Sequence, residues 1–385
     1  MKLSSKQSIY LLFAESALTK AMLLVPIIYV FWSNELGLSQ AQIGLLQGIF
    51  AFTMVAFQIP TGYLADRFSH KASNTAGDLL LTLGAIVYFF ANSFFGALAG
   101  EVLLGIGFSL SSGADSALLR FHCAAAKLDY KKYAARLTSV GFVAAGAAAI
   151  YGASIGAEAV RKGFLVQAGL LGLAGFLSLF IANTTVKYVA KNRNIIGDLK
   201  DTTIYLSRHS VLVWRIFLGA SLFTSTLLII WFLTPLFFSV GIDLQYHGFL
   251  FAAISVAAIL GSEFSTRSKK LTMQFPFLLG VLVYLVLGMA TSIYVIGIYL
   301  LLSFARGINS AKVIPFIQEA APEDLQASAV SLYGMIYKLF SGTLVIAVNF
   351  IGNNNISHGL IASAVICAIM YIVFTLNKHK WENIA

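Results

Sequence analysis

The chain is short of nearly everything a soluble enzyme carries. Asp, Glu, Lys and Arg make up only 11% of its 385 residues, too few to clothe a water-facing surface of that size. Its two cysteines, Cys123 and Cys367, lie far apart in a loop end and in the last apolar run, which argues against a disulfide framework and against a metal site. No Walker-A pattern is present, so ATP hydrolysis is not expected. No H-E-x-x-H or Ser/His/Asp grouping supports a membrane-embedded enzyme, and no cofactor is implied. The six histidines fall in loops or at the ends of apolar runs, which argues against proton transfer through His.

Apolar sequence fills the gap. Hydrophobic residues reach 58% and Phe alone numbers 31, the composition of a polytopic membrane protein. A spanning helix needs roughly 20 mostly apolar residues, and about twelve such runs can be marked. They are 9–33, 41–61, 75–95, 97–119, 135–157, 163–186, 211–236, 247–263, 275–293, 295–318, 326–350 and 357–376. The strands of a membrane barrel would be short and alternating, whereas "LLLTLGAIVYFFANSFF" is continuous, so the fold is expected to be all-α. The first run carries Glu15 and Lys20 and lacks a small-residue cleavage site, which makes it a helix and not a signal peptide.

Orientation follows from the basic residues. Nearly all loop Lys and Arg fall on the N-terminal side of the membrane, and the opposite loops hold only Arg161 and Lys162, so both termini are expected to be cytoplasmic. The net charge of +10 is accounted for by this asymmetry, and no soluble basic domain suggests a nucleic-acid partner.

The longest polar connection, 187–210, divides the spans six and six, giving an N-terminal bundle (1–186), a linker and a C-terminal bundle (211–385). A faint repeat relates the halves. "GYLADRFSHK" at Gly62 is echoed by "GSEFSTRSKK" at Gly261, and Gly105-Ile106 in span four by Gly307-Ile308 in span ten. Two-bundle repeats are the mark of secondary transporters, with the substrate site near the bilayer midplane.

The stretch Gly62-Tyr63-Leu64-Ala65-Asp66-Arg67, closed by Lys71, resembles the G-x-L-A-D-R-x-G-R-R/K signature between helices two and three of the major facilitator superfamily. Ser69 and His70 stand where that family usually has Gly and Arg, while "GLSQAQIGLLQGIFAF" and "QIPTG" before the motif also look like it. The resemblance implies two six-helix bundles and a role for Gly62, Asp66, Arg67 and Lys71 as a conformational latch. Asp66 is then expected to accept from the start of helix eleven near "APEDLQ". Arg67 and Lys71 would pair with Glu319, Glu323 and Asp324.

Ionisable residues inside spans are costly and so become functional candidates. The first half has Glu15, Asp78, Glu101 and Asp115 with Lys20; the second has Arg215, Arg306, Lys312 and Lys338 with Glu263. Arg215, Asp78 and Glu263 fall within about a turn of a helix end, where snorkelling is cheap, and read as structural. Lys20, Arg306 and Lys338 fall about midway along helices one, ten and eleven, the last two on polar faces that include Asn309 and Ser341. These cations either neutralise Glu15 and Glu101 or, with Asn309, bind an anionic substrate. By the resemblance, helices one, four, seven and ten line the cavity and eleven reaches it.

Helix four carries a stripe of Glu101, Gly105, Phe108, Ser112 and Asp115, whose end carboxyls would stand about 21 Å apart on a continuous helix. Glu101 and Asp115 are thus candidate stations for a proton, with Asp115 alternatively a partner of Arg120 or Arg136. Glu15 is the other coupling candidate. Glu101 occupies the place where many relatives have an Arg, so no role transfers there. Helix five, "SVGFVAAGAAAIYGASIG", is Gly/Ala-rich for close packing but lacks the G-P pair of the superfamily's drug–proton antiporters. The expected function is proton-coupled symport of a small carboxylate-bearing anion or metal chelate by a monomer in a bacterial inner membrane. Its partners are protons, the bilayer and that solute; the alternative is proton-antiport export of drugs or metabolites.

Overall fold

A computed structural model describes residues 4–67, 69–156, 159–183, 205, 209–267, 273–289, 292–322 and 326–382. The regular structure of these residues is helical throughout. The first half contains α1 (Ser5–Lys20), α2 (Gln40–Arg67), α3 (His70–Phe90), α4 (Phe94–Ser111), α5 (Ala114–Ala125), α6 (Tyr130–Ser154) and α7 (Val160–Ser178). The second contains α8 (Ser210–Leu227), α9 (Leu233–Ser239), α10 (Leu244–Arg267), α11 (Phe275–Met289), α12 (Leu300–Gln318), α13 (Gln326–Ile351), α14 (Ile356–Leu376) and the short α15 (Lys378–Glu382). Ten stretches are long and apolar enough to cross a membrane, α4–α5 and α8–α9 each counting as one, and α11 is a shorter apolar helix.

The first span departs from a single rod. Helix α1 stops at Lys20, residues 21–27 run irregularly, and a helical turn at Ile28–Val30 leads into a π-helical turn, Phe31–Glu35. Pro26 explains the interruption: it has no N–H to donate, and its ring excludes the carbonyl of residue 22. The exposed backbone is taken up by neighbours. Leu23 N donates to Gln167 Oε1 at 2.8 Å, and a Cβ on Gly152 of α6 would overlap the Leu23 carbonyl. Lys20 therefore ends a helix instead of sitting midway along one.

The fourth span breaks as well. Ser112 is extended (φ −63, ψ 114), and Gly113, at φ +88, starts α5 from a left-handed conformation that glycine adopts without strain. Glu101 and Asp115 consequently lie on different helices, and the stripe drawn through them does not run on one face.

The chain resolves into two compact units. One comprises Met1–Leu38, Ile49–Lys191 and Asp243–Ala252; the other, Ser39–Gly48, Asn192–Ile242 and Ala253–Ala385. In the first, Arg161 staples loose ends: it pairs with Glu35 at 2.9 Å, donates to the carbonyls of Phe89 and Ala91, and lies over the Phe31 ring. In the second, Gln40 Nε2 donates to the Trp231 carbonyl at 3.0 Å and to Asn349 Oδ1, and Ala41 N donates to Asn353 Oδ1. These bonds hold the start of α2 to that unit.

The repeat has a packing cause at one of its two glycine pairs. A Cβ on Gly105 would come within 3.0 Å of Thr53 Cβ, and a Cβ on Gly307 would overlap the Ala258 carbonyl, so α4 lies against α2 and α12 against α10 with no space for a side chain. Gly261 meets the Phe304 carbonyl in the same way, whereas a Cβ on Gly62 would meet open space. Gly307→Val should therefore cost about 1–3 kcal/mol through overpacking and lower the melting temperature of the purified protein, while Gly62→Ala should not. Equal melting of Gly307→Val and the parent would refute this contact.

Candidate functional site

A cavity of about 320 Å³ opens within the first unit. Its walls are the last turns of α1, the start of α3 and the break between α4 and α5, and Glu15, Thr19, Lys20, Asn74 and Asp115 line it. Glu15 is only 3% exposed. Asn74 Nδ2 donates to Glu15 Oε1 at 3.2 Å, and the Thr19 hydroxyl lies 3.3 Å from Glu15 Oε1 and 3.4 Å from Asp78 Oδ1. Asp78 is fully buried behind Thr19. Two carboxyls thus share one hydroxyl in an apolar interior, and neither is paired with a basic side chain by an ion pair among the described residues.

The placement follows from helix geometry. Glu15 and Thr19 are four residues apart on α1, as are Asn74 and Asp78 on α3, so each pair projects from one face of its helix. Ser69 caps α3 by accepting from Ala72 N, and Lys71 Nζ donates to the Leu179 carbonyl at 2.6 Å beyond the end of α7. Those contacts fix the start of α3.

Asp78 is the functional candidate the sequence reading passed over, taking it for a snorkelling acid near a helix end. The signal was present in two polar i, i+4 pairs, each containing a carboxyl, though Ser16, Lys20, Ser73 and Thr75 beside them dilute it. Pairing them required knowing that α1 and α3 face each other.

The remaining acids are held differently. Glu101 is buried and accepts from Tyr88 Oη at 2.6 Å, in a corner where the Tyr88 ring stacks on Phe164 at 5.0 Å. It does not line the cavity with Glu15. Asp115 does line it, accepting from Ser116 N at 2.6 Å and from Ser116 Oγ. Neither expected partner of Asp115 is joined to it by an ion pair among the described residues; Arg136 lies over the Tyr133 ring instead. Lys20 lines the same cavity, with its stem against Gly141 of α6.

The other candidates belong to the second unit. Asn309 is buried and donates to the Leu222 carbonyl at 3.1 Å, tying α12 to α8. Arg306 is partly buried beside Tyr337 of α13, which packs edge-on against Phe223 and stacks on Tyr333. No acidic side chain pairs with Arg306 among the described residues. Lys338, the next residue after Tyr337, is also partly buried. Arg215 is a structural tie: 3% exposed, it donates to the carbonyls of Trp381 and Phe316 and lies 4.1 Å over the Phe316 ring, fastening α15 to α8 and α12.

At the glycine-led motif, Gly62 is exposed near the end of α2. The side chains of Asp66 and Arg67, and residues 323 and 324, lie outside the described residues. Lys71 is bonded to the Leu179 carbonyl, and two of the acids expected to pair with it, at 323 and 324, lie outside the described residues. Glu319, 68% exposed at its side chain, stands 3.9 Å from Arg215.

Comparison with known proteins places this helical architecture. The Major Facilitator Superfamily profile matches residues 10–346. An uncharacterized transporter of Buchnera aphidicola subsp. Schizaphis graminum is 25% identical over 219 residues, 56% of this chain and 54% of that protein. The inner membrane transport protein YajR of Escherichia coli K12 is 31% identical over 85 residues, 22% of this chain and 19% of YajR. The chain thus spans about half the length, or less, of these curated relatives. Among solved structures, the nucleoside transporter NupG superposes with a TM-score of 0.77 at 15% identity, covering 97% of this chain and 98% of that one. A D-xylose–proton symporter superposes at 0.79 and 12% identity, covering 99% and 98%. At such identities these structures speak for the fold, and with the profile match over most of the sequence, the chain belongs to the major facilitator superfamily, a family of secondary transporters and not of enzymes.

Proposed function

We propose that this carrier couples the movement of one small carboxylate-bearing anion, or an anionic metal chelate, to protons taken in the same direction. The observation that carries the proton half is the Glu15–Thr19–Asp78 arrangement beside the cavity. Two like charges that close together in a low-dielectric interior repel, and a single shared proton removes the repulsion while Thr19 and Asn74 hold the geometry. Such a pair takes up and gives away one proton as its surroundings alternate between the two sides. Asp115, on the same cavity wall, is a station through which that proton passes; Glu101, bonded to Tyr88, is a more remote one. The fold is shared with a protein described as a D-xylose–proton symporter, which supports coupling of this kind.

The substrate's charge is read from the second unit. Arg306 presents a guanidinium without an acidic partner among the described residues, with Lys338 and Asn309 on neighbouring faces, and Lys20 adds a cation in the first unit. Partly buried cations favour an anion, and protons entering with it offset charge movement against the membrane potential. The acid-rich cavity favours a second reading, antiport of a cationic compound against protons. The carrier works as a monomer in a bacterial inner membrane, with Gly62, Asp66, Arg67 and Lys71 latching one face.

Three outcomes test this reading in proteoliposomes with an imposed pH gradient, after a screen of organic acids, metal chelates and cationic drugs. Glu15→Gln should abolish accumulation driven by the gradient yet retain exchange of substrate across the membrane; full accumulation would remove Glu15 from coupling. Arg306→Gln should weaken apparent affinity for the anion about tenfold to a hundredfold, as expected for loss of a charge-assisted hydrogen bond of roughly 1.5–3 kcal/mol. Unchanged affinity for an anion, or uptake of cations only, would sink the anionic reading. Asp66→Asn should insert normally, transport slowly and leave engineered cavity cysteines more reactive from the cytoplasmic side. Unaltered labelling with normal transport would contradict the latch.

A further inference from the structure

We infer that the Glu15–Asp78 cavity also binds a monovalent metal cation, sodium, at oxygens of Glu15, Thr19, Asn74 and Asp78. The inference rests on the proposed proton site and deepens it: proton and sodium are alternative occupants of one carboxyl pair.

Two atoms point to it directly. Asn74 Oδ1 and Asp78 Oδ2 are buried acceptors without a hydrogen-bond partner, on side chains that are fully buried. An acceptor left so costs about 1–3 kcal/mol. Asn74 lines the cavity and is held there by its own donation to Glu15, with Oδ1 left over as an acceptor. Water or a proton can satisfy one such atom; a cation satisfies several at once. Glu15 Oε1, the Thr19 oxygen and Asp78 Oδ1 already form a chain with spacings of 3.3 and 3.4 Å, so carboxylate and hydroxyl oxygens converge from α1 and α3, with the Asn74 amide bonded beside them.

The charge balance agrees. Among the described residues, Asp115 of α5 acts on both Glu15 and Asp78, which act on each other, and Lys20 of α1 acts on Glu15. Of the other helices packed on α1, α6 offers Gly141 against Lys20 and α7 offers Gln167 to the Leu23 amide. Carboxyls therefore outnumber ammonium groups around the cavity, which favours uptake of positive charge there. The break after Lys20 contributes too. Glu15 and Thr19 occupy the last two turns of α1, where the carbonyl end of the helix favours positive charge, and interrupted helices place such ends at cation sites.

The donor set selects the ion. All the atoms are hard oxygens, which suit alkali and alkaline-earth ions and not soft metals. Two carboxyls with one hydroxyl and one amide are fewer anionic ligands than calcium sites gather, and suit a singly charged ion.

The test is equilibrium binding of radiolabelled sodium to the purified full-length carrier in detergent, with choline as the counter-cation control. Binding should be saturable at pH 8.5, and acidification to pH 5.5 should weaken it at least tenfold by competition. Asn74→Ala, Asp78→Asn and the milder Thr19→Val should each weaken it at least fivefold, with folding checked by melting temperature. Absence of saturable binding at pH 8.5, or binding indifferent to all three substitutions in folded protein, would overturn the inference. Accumulation driven by a pH gradient in sodium-free buffer reports on the proton reading separately, so the two can fail independently.

Discussion

A carboxylate surrounded by hydrocarbon must be neutralised, and this constraint organises the first unit. Among the described residues no basic side chain is bonded to Glu15 or Asp78, yet the chain buries both and commits Thr19 and Asn74 to holding them. A purely structural design would replace such a pair with apolar side chains at no loss of stability. Its placement at the wall of a cavity, beside a helix that stops short, is what a site for exchangeable positive charge requires.

The helix breaks belong to the same account. Irregular backbone at membrane depth is tolerated where protein buries it or where it lines a cavity. Both conditions are met here: Gln167 takes the Leu23 amide behind the first break, and Ser111, Ser112 and Gly113 of the second line the cavity. Close approach of α6, whose Gly152 leaves no space for a Cβ against the Leu23 carbonyl, keeps the broken segment packed. The unit thereby keeps strong helix–helix contacts while opening a polar chamber.

Much of the fold was legible because membrane helices obey a length rule that composition displays directly. The runs at 326–350 and 357–376 fall on α13 and α14 almost residue for residue, and 41–61 falls inside α2, which continues to Arg67. Breaks were not legible from hydropathy: Pro26 sits in a run as apolar as its neighbours, and the polar Ser111-Ser112-Gly113 turn falls inside a stretch long enough to read as one helix. The site was half legible. Glu15 stood out as an acid deep in a span, but depth estimated from position in a run misplaced Lys20 and undervalued Asp78, whose α3 begins five residues earlier than its apolar stretch suggests. Arg215 was rightly read as structural, although its partners, carbonyls of Trp381 and Phe316, lie in elements no local pattern connects to it.

The central claim is that Glu15 and Asp78 exchange a proton during each transport cycle. It is tested most directly by trapping a pH-sensitive dye inside carrier-containing vesicles and adding a transported substrate without any imposed gradient. The account predicts that protons enter with substrate at a fixed ratio in the native carrier, and that neither Glu15→Gln nor Asp78→Asn moves protons while both still exchange substrate. Substrate uptake by the native carrier with no change in internal pH, or an undiminished proton signal in both variants, would contradict it.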